Sequence, residues 1–517
     1  MCWLGFDGGS SSAEVVQSAV GRLADHIGSI TCNDFAVGGS NTDSIDVDND
    51  PLMLDRNSPD VCASAGRALA TLWEYGQTQA ALRSAGAIVV HQQDDGAFGD
   101  RQGRGSVLTT AAALRGLLPI SGESRTFFVA TRRAAEFLIC WAGQRSVLAA
   151  DSDTVPCQSS AAAEQGLDSM LCSLPILLQA ARAWNEHVWE EVLWRAVECA
   201  RSSCEHERRD VPLLRCAARI EALLDLNCDH EAKLAVKRLK PVQTRAGFVS
   251  FTADGSRPWV AATALMAGVW YRLGERDRAD RAVSWLARQW RPEGGFNRPS
   301  SRNRPPRNLI TDLRECELFL RAVRWQVWTL FDGDLQALPD WIDDSDGRMQ
   351  AVYRWIGRLP AEGRVVDVGC GAGRFLSRIA AARPQLRLAG VDISAASLAK
   401  LPPETETQVG SLLRIPYSDG AFDGALAVES LEHALLPSRA IEELCRVVRP
   451  GGWVLIIDKN RAFQPRSVHE PWEHWFAPRQ VTAWLSRFCD HIHVEPIAHG
   501  PNARPDGLFL AWTARRR

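Results

Sequence analysis

Apolar residues recur every three to four positions between Pro59 and about residue 330, then give way after residue 363 to short unbroken apolar runs separated by glycine-rich turns. The first regime predicts helices over 60–75, 78–92, 106–118, 124–142, 164–185, 188–203, 211–227, 231–239, 258–273, 277–290 and 308–330, and no sheet. The second predicts buried strands alternating with helices, the pattern of a doubly wound α/β sheet. Residues 1–58 are rich in Gly, Ser, Asp and Asn and end in Asp55-Arg56-Asn57-Ser58-Pro59, a turn and helix-start signal, so they read as a loosely packed leader. The acidic, turn-rich stretch 331–347 reads as a linker. The expected organisation is therefore a leader at 1–58, an all-α domain at 59–330, the linker, and an α/β domain at 348–517.

The chemistry-bearing stretch runs from Arg364 to Leu376: a buried strand ending in Asp367-Val368, the turn Gly369-Cys370-Gly371-Ala372-Gly373, and a helix start at Arg374. Glycines at the carboxyl end of a parallel strand let a ligand approach backbone N–H groups. Arg374 stands where a dinucleotide fingerprint needs its third glycine, which disfavours a pyrophosphate cofactor. Asp367 adds an anion where an ammonium group would be favoured. Asp392 closes a second strand nineteen residues after Gly373, in place to accept from both ribose hydroxyls. A third element ends near Gly410-Ser411-Leu412, a fourth strand (424–428) leads into Glu429-Ser430-Leu431-Glu432-His433, and a fifth (453–458) follows the turn Arg449-Pro450-Gly451-Gly452. Helix 478–488 and strands 491–497 and 507–514 complete the sheet as an antiparallel hairpin.

These motifs, in this order, resemble the class I S-adenosylmethionine-dependent methyltransferases over about 350–517. The resemblance implies a Rossmann-like doubly wound sheet and S-adenosyl-L-methionine as cofactor. It also implies that Asp367 and the loop Gly369, Cys370, Gly371 and Gly373 hold the methionine end, Asp392 with Ile393 the ribose, and Ser411 with Leu412 the adenine. Ser411 departs from the family, which often has Asp there to accept from the adenine amino group; a hydroxyl is the weaker acceptor. Methyl transfer from a sulfonium needs alignment and a deprotonated acceptor above all. His433, just beyond the fourth strand, is the candidate base, and Glu429 the alternative lining group. His469, Trp472, His474 and Trp475 form an expected aromatic and basic substrate rim, read as such in preference to a metal site.

In the helical domain, Gln92-Gln93-Asp94-Asp95-Gly96-Ala97-Phe98-Gly99 and Gln289-Trp290-Arg291-Pro292-Glu293-Gly294-Gly295-Phe296 each follow an apolar helix, with Arg245-Ala246-Gly247-Phe248 as a degenerate third copy. This repeat resembles that of squalene-cyclase and prenyltransferase-type α/α toroids. A cyclase would need an acid. Asp46-Val47-Asp48-Asn49-Asp50 approximates the Asp-x-Asp-Asp of protonating cyclases but reads as a solvated loop, and Asp151-Ser152-Asp153 is a second acidic pair.

With 59 Lys+Arg against 62 Asp+Glu the charge is nearly balanced, which excludes the basic footprint of a nucleic-acid binder. No apolar run reaches a membrane span and the start shows no signal-peptide pattern, so the expected location is cytoplasmic. The 14 cysteines are scattered without a Cys-x-x-Cys pair and read as reduced thiols. The expected function is O-methylation of a small-molecule or glycan-like acceptor, with the helical domain aiding recognition. Two alternatives remain: a toroid that is a second, terpenoid- or sugar-active enzyme, and a toroid that is a non-catalytic interaction module. The oligomeric state is left open.

Overall fold

The computed structural model describes residues 12–28, 61–99, 106–150, 160–204, 213–238, 243–250, 258–291, 295–296, 309–333, 340–463, 474–501 and 503–517. Among these the chain divides after Trp325 into two compact units.

The N-terminal unit is built of helices, with only isolated β-bridges among its described residues. The predicted helices form, and Ser12–Gly28 adds one inside the stretch expected to be loose: Ala19 and Leu23 are fully buried on its apolar face. The hairpins share one turn. After Val61–Glu74 the N–H of Gln77 donates to Leu72 O, with Gly76 left-handed. The same bond links Glu186 to Ala181, Cys228 to Leu223 and Glu275 to Trp270, around left-handed Asn185, Asn227 and Gly274. This is the Schellman ending, in which a residue at positive φ lets the chain double back and satisfies the last carbonyls.

Between hairpins a second device recurs. Gln92 Nε2 donates to Gly96 O (2.9 Å) and to Ala130 O (2.8 Å) of helix Arg125–Ala150, and Gln243 Nε2 repeats this on Gly247 O (3.0 Å) and Arg278 O (2.8 Å) of helix Arg276–Gln289. Phe98 N and Val249 N each donate to a threonine of the next helix, Thr110 and Thr263, at 2.9 Å. The copy expected to be degenerate thus keeps the full network, with Phe248 in the register of Ala97 and Val249 in that of Phe98. In the remaining copy Trp290, not Gln289, takes the register of Gln92: it bridges to Phe296 as Gln92 bridges to Phe98. A Cβ on Gly96 would meet Arg133 O at 2.4 Å, and one on Gly247 would meet Arg281 O at 2.4 Å, so both turns press backbone against a neighbouring helix. Asp46–Asp50 and Asp151–Asp153 lie outside the described residues.

The C-terminal unit is a seven-stranded sheet of order β3-β2-β1-β4-β5-β7-β6, with β1 Arg364–Val368, β2 Arg387–Asp392, β3 Glu406–Val409, β4 Phe422–Val428, β5 Val448–Lys459, β6 Cys489–Ile497 and β7 Phe509–Arg516. The first five are parallel; β7 runs antiparallel between β5 and β6, the hairpin expected at the end of the sheet. Helices Gly347–Ile356 and Arg374–Ala382 pack Met349, Val352, Trp355, Phe375 and Ile379 on one face, against Val365, Leu426, Leu455 and Ala511. Strand alternation sends Trp512, next to Ala511, to the opposite face, where its indole donates to Pro478 O at the start of helix Pro478–Leu485. The order reverses between β1 and β4, and that switch point opens a crevice at the carboxyl ends of the strands.

Candidate active site

The loop after β1 is shaped by three left-handed glycines, Gly369, Gly371 and Gly373. Gly369 is confined, because a Cβ there would meet Ser430 at 2.4 Å, and Ser430 in turn bonds Val368 O (2.9 Å), tying the end of β4 to that of β1. Gly371 faces open space, with nothing within 4 Å of where a Cβ would stand. The loop therefore presents backbone to the crevice at Gly371. Cys370 contributes only backbone: its N–H bonds Val391 O, while its thiol packs with Leu376, Leu398 and Leu401 and is pushed far up by burial.

Asp367 is 1% exposed and its Oδ2 has no hydrogen-bond partner. Burial, set against a smaller opposing effect of Arg374, pushes this carboxyl up to about 7. Asp392 turns one oxygen to Gly371 N (2.8 Å) and the other to Ser394 N (2.9 Å), and burial raises it too. Ile393, Ser411 and Leu412 are half-buried along the same edge. Ser411 Oγ accepts from Leu413 N at 3.3 Å, closing its own turn. A buried acceptor without a partner beside a side-chain-free loop fits a ligand carrying an ammonium group, as S-adenosylmethionine does. Asp367, the Gly369–Gly373 loop and Asp392 would hold that cofactor, which supplies an activated methyl group.

Beyond β4, Glu429 sits at φ 52° with Oε1 shared by Arg348 Nη1 (2.5 Å) and Arg374 Nη2 (2.9 Å). Arg348 is itself forked onto Asp346, the N-cap of Gly347–Ile356. Two guanidiniums thus occupy the Glu429 carboxylate. His433 ends the 3₁₀ turn Leu431–His433. Burial, then the positive charges of Lys459 and His474, push its imidazole down to about 3, so it is neutral near pH 7. Its Nε2 lies 3.4 Å from Glu432 Oε1, and its Nδ1 is buried without a partner. The ring of Phe331, within the same unit, lies 4.7 Å from the imidazole.

Of the expected substrate rim, His474 and Trp475 reach this corner: His474 N donates to Glu432 O (2.8 Å), and Lys459 Nζ lies 5.6 Å over the Trp475 ring. His469 and Trp472 lie outside the described residues. Among the described residues no group of three His, Cys, Asp or Glu side chains is set to hold a metal. Sequence reasoning passed over Arg348, Glu432, Asp458 and Lys459. The available signal was a charged residue directly after each apolar run of β4 and β5.

The family described as "Methyltransferase domain" matches residues 366–456. The 2-methyl-6-phytyl-1,4-hydroquinone methyltransferase of Synechocystis is 32% identical over 198 residues, 35% of this chain and 60% of that protein. An O-methyltransferase of Aspergillus nomiae is 35% identical over 104 residues, 18% of this chain and 46% of that protein. The chain thus spans only about half the length of these curated relatives. A solved SAM-dependent methyltransferase of Thermotoga maritima, described as a possible histamine N-methyltransferase, is 21% identical, covers 33% of this chain and 88% of that one, and has a TM-score of 0.27. The C-terminal unit therefore carries an S-adenosylmethionine-dependent methyltransferase domain.

Proposed function

We propose that the whole protein transfers a methyl group to an oxygen of a small-molecule or glycan-like acceptor, with Asp367, Gly369, Gly371, Gly373, Asp392, Ile393, Ser411 and Leu412 forming the cofactor site. The observation that carries this reading is the orphaned, buried Asp367 Oδ2 beside the open face of Gly371. The names of the relatives, which include O-methyltransferases, support the choice of oxygen. His433 takes the acceptor proton, since its imidazole is neutral with a bare Nδ1, whereas Glu429 is held by two arginines. His474 and Trp475 border the acceptor.

The N-terminal unit, residues 59–330 in this reading, is an α/α toroid that recognises the acceptor. One bond between its beginning and its end supports ring closure, Tyr75 Oη donating to Leu320 O (2.7 Å), and Trp290 Nε1 donates to Ser18 Oγ (3.1 Å) of the helix that precedes it. A cytoplasmic location belongs to the same proposal. Among the described residues no helix is long and apolar enough to cross a membrane.

Calorimetric titration of S-adenosylhomocysteine into the full-length protein, with Asp392→Ala as control, tests the reading. Saturable binding that the variant loses is expected; folded wild-type protein that does not bind overturns it. Transfer of labelled methyl from S-adenosylmethionine to a panel of phenols, quinols and oligosaccharides then identifies the acceptor class.

A further inference from the structure

Behind His433 stand two buried carboxyl groups from different strand ends. Glu432 is 2% exposed and Asp458, at the end of β5, is fully buried. Asp458 accepts two backbone N–H groups, from Glu432 (Oδ2, 3.0 Å) and from Lys459 (Oδ1, 2.9 Å), so it pins the turn that carries His433. Burial and the neighbouring Glu432 push Asp458 well above the ordinary carboxyl range. Like charges this close do not both ionise in a dry site. The pair is thus set to carry one negative charge, and Lys459 Nζ, 3.3 Å from Glu432 Oε2, draws it towards Glu432.

That charge has a direction. A carboxylate 3.4 Å from Nε2 favours the proton on Nε2, and a neutral imidazole protonated there carries its lone pair on Nδ1. Nδ1 is the buried atom that lacks a partner. A buried acceptor left without a donor is costly, and a hydroxyl held against it would recover that cost.

We infer that Glu432, backed by Asp458, is a positioning residue that sets His433 as the Nε2–H tautomer and so aims Nδ1 at the acceptor hydroxyl. This rests on the reading of His433 as the base. In the step it serves, the hydroxyl proton moves to Nδ1 and its bonding pair stays on oxygen. The imidazolium so formed has its second N–H facing the Glu432 carboxylate, which opposes the unfavourable charge of Lys459; among the described residues Lys459 and His474 are the other titratable groups that act on it.

Nitrogen-15 spectra of the full-length protein labelled at its histidine rings read the tautomer directly, with the His433 signals assigned by their loss in His433→Gln. The wild type is expected to show a pyrrole-like Nε2 and a pyridine-like Nδ1 near pH 7. Glu432→Gln and Glu432→Ala are expected to lose that single tautomer, the proton becoming shared between the two nitrogens, while still binding S-adenosylhomocysteine. A wild-type Nδ1 that carries the proton overturns the inference without any variant, and so does an unchanged tautomer in variants that bind. Failure of the wild type to bind S-adenosylhomocysteine sinks the methyltransferase reading instead, whatever the tautomer.

Discussion

Asp367 gives pH a handle on both folding and binding. Raised to about 7 in the folded chain, it holds a proton there that the unfolded chain gives up near its ordinary value of 3.8. Folding stability from this group is therefore greatest at low pH and is lost as pH rises from 3.8 to about 7. A bound ammonium reverses the preference. The affinity for S-adenosylhomocysteine is accordingly expected to rise with pH up to about 7, by at most about tenfold per unit, and then level off. Asp367→Asn should bind more weakly and lose that slope, which titrations between pH 5.5 and 8 would read. His433 and His474 act in the opposite sense. Burial lowers them to about 3 and about 4, so the unfolded chain takes up protons first, and stability falls as pH drops from 6.5 towards 3. His474→Gln should move the acid-unfolding midpoint downwards. Ser411→Asp restores a charged acceptor beside the adenine edge and should tighten S-adenosylhomocysteine binding about fivefold, by roughly 1 kcal/mol.

The β1–glycine-loop–helix unit was legible because its signal is local: an apolar run, three glycines in five residues and an acid closing each of the first two strands. The recurring turns of the helical unit were half legible. Gln92 and Gly96 stood out, yet the equivalence of Gln243 and the fourfold Schellman ending did not. Asn185 and Asn227 occupy the left-handed position that Gly76 and Gly274 fill elsewhere, so no single letter repeats. Asparagine tolerates that conformation where alanine does not. Asn227→Gly is expected to be near neutral and Asn227→Ala to cost about 1 kcal/mol, measured by denaturant midpoint. Gly96→Ala and Gly247→Ala each drive a methyl into a carbonyl from a left-handed backbone and should cost about 2 kcal/mol or more. Residues 1–58 show only weak amphipathic pieces in polar surroundings and so read as loose, whereas the packing of helix Ser12–Gly28 depends on Val61–Glu74 and Thr78–Val89, which lie well beyond it along the chain.

At the scale of the whole molecule two cores imply two cooperative transitions. Scanning calorimetry is expected to resolve both, and S-adenosylhomocysteine at a hundredfold over its Kd should stabilise only the C-terminal unit, by about 2.7 kcal/mol. Asp392→Ala should abolish that shift. The corner around His433 was the part least open to sequence reading, since Glu432, Asp458 and His474 come from three separate stretches that meet only once β4 and β5 are paired.

The seating of β7 between β5 and β6 also sets an order of events during synthesis. β6 emerges first, yet its partner is the strand that follows, and β5 must keep one edge free until β7 slides in beside it. A nascent chain halted between Ile497 and Phe509 would carry two strands with no β7 between them, one of them with the apolar Val454–Ile457 run bare, which is the template on which unrelated chains stick together. Premature stop mutations that spare every cofactor-binding residue would then be cleared as aggregates or by proteolysis, not tolerated as shortened enzymes.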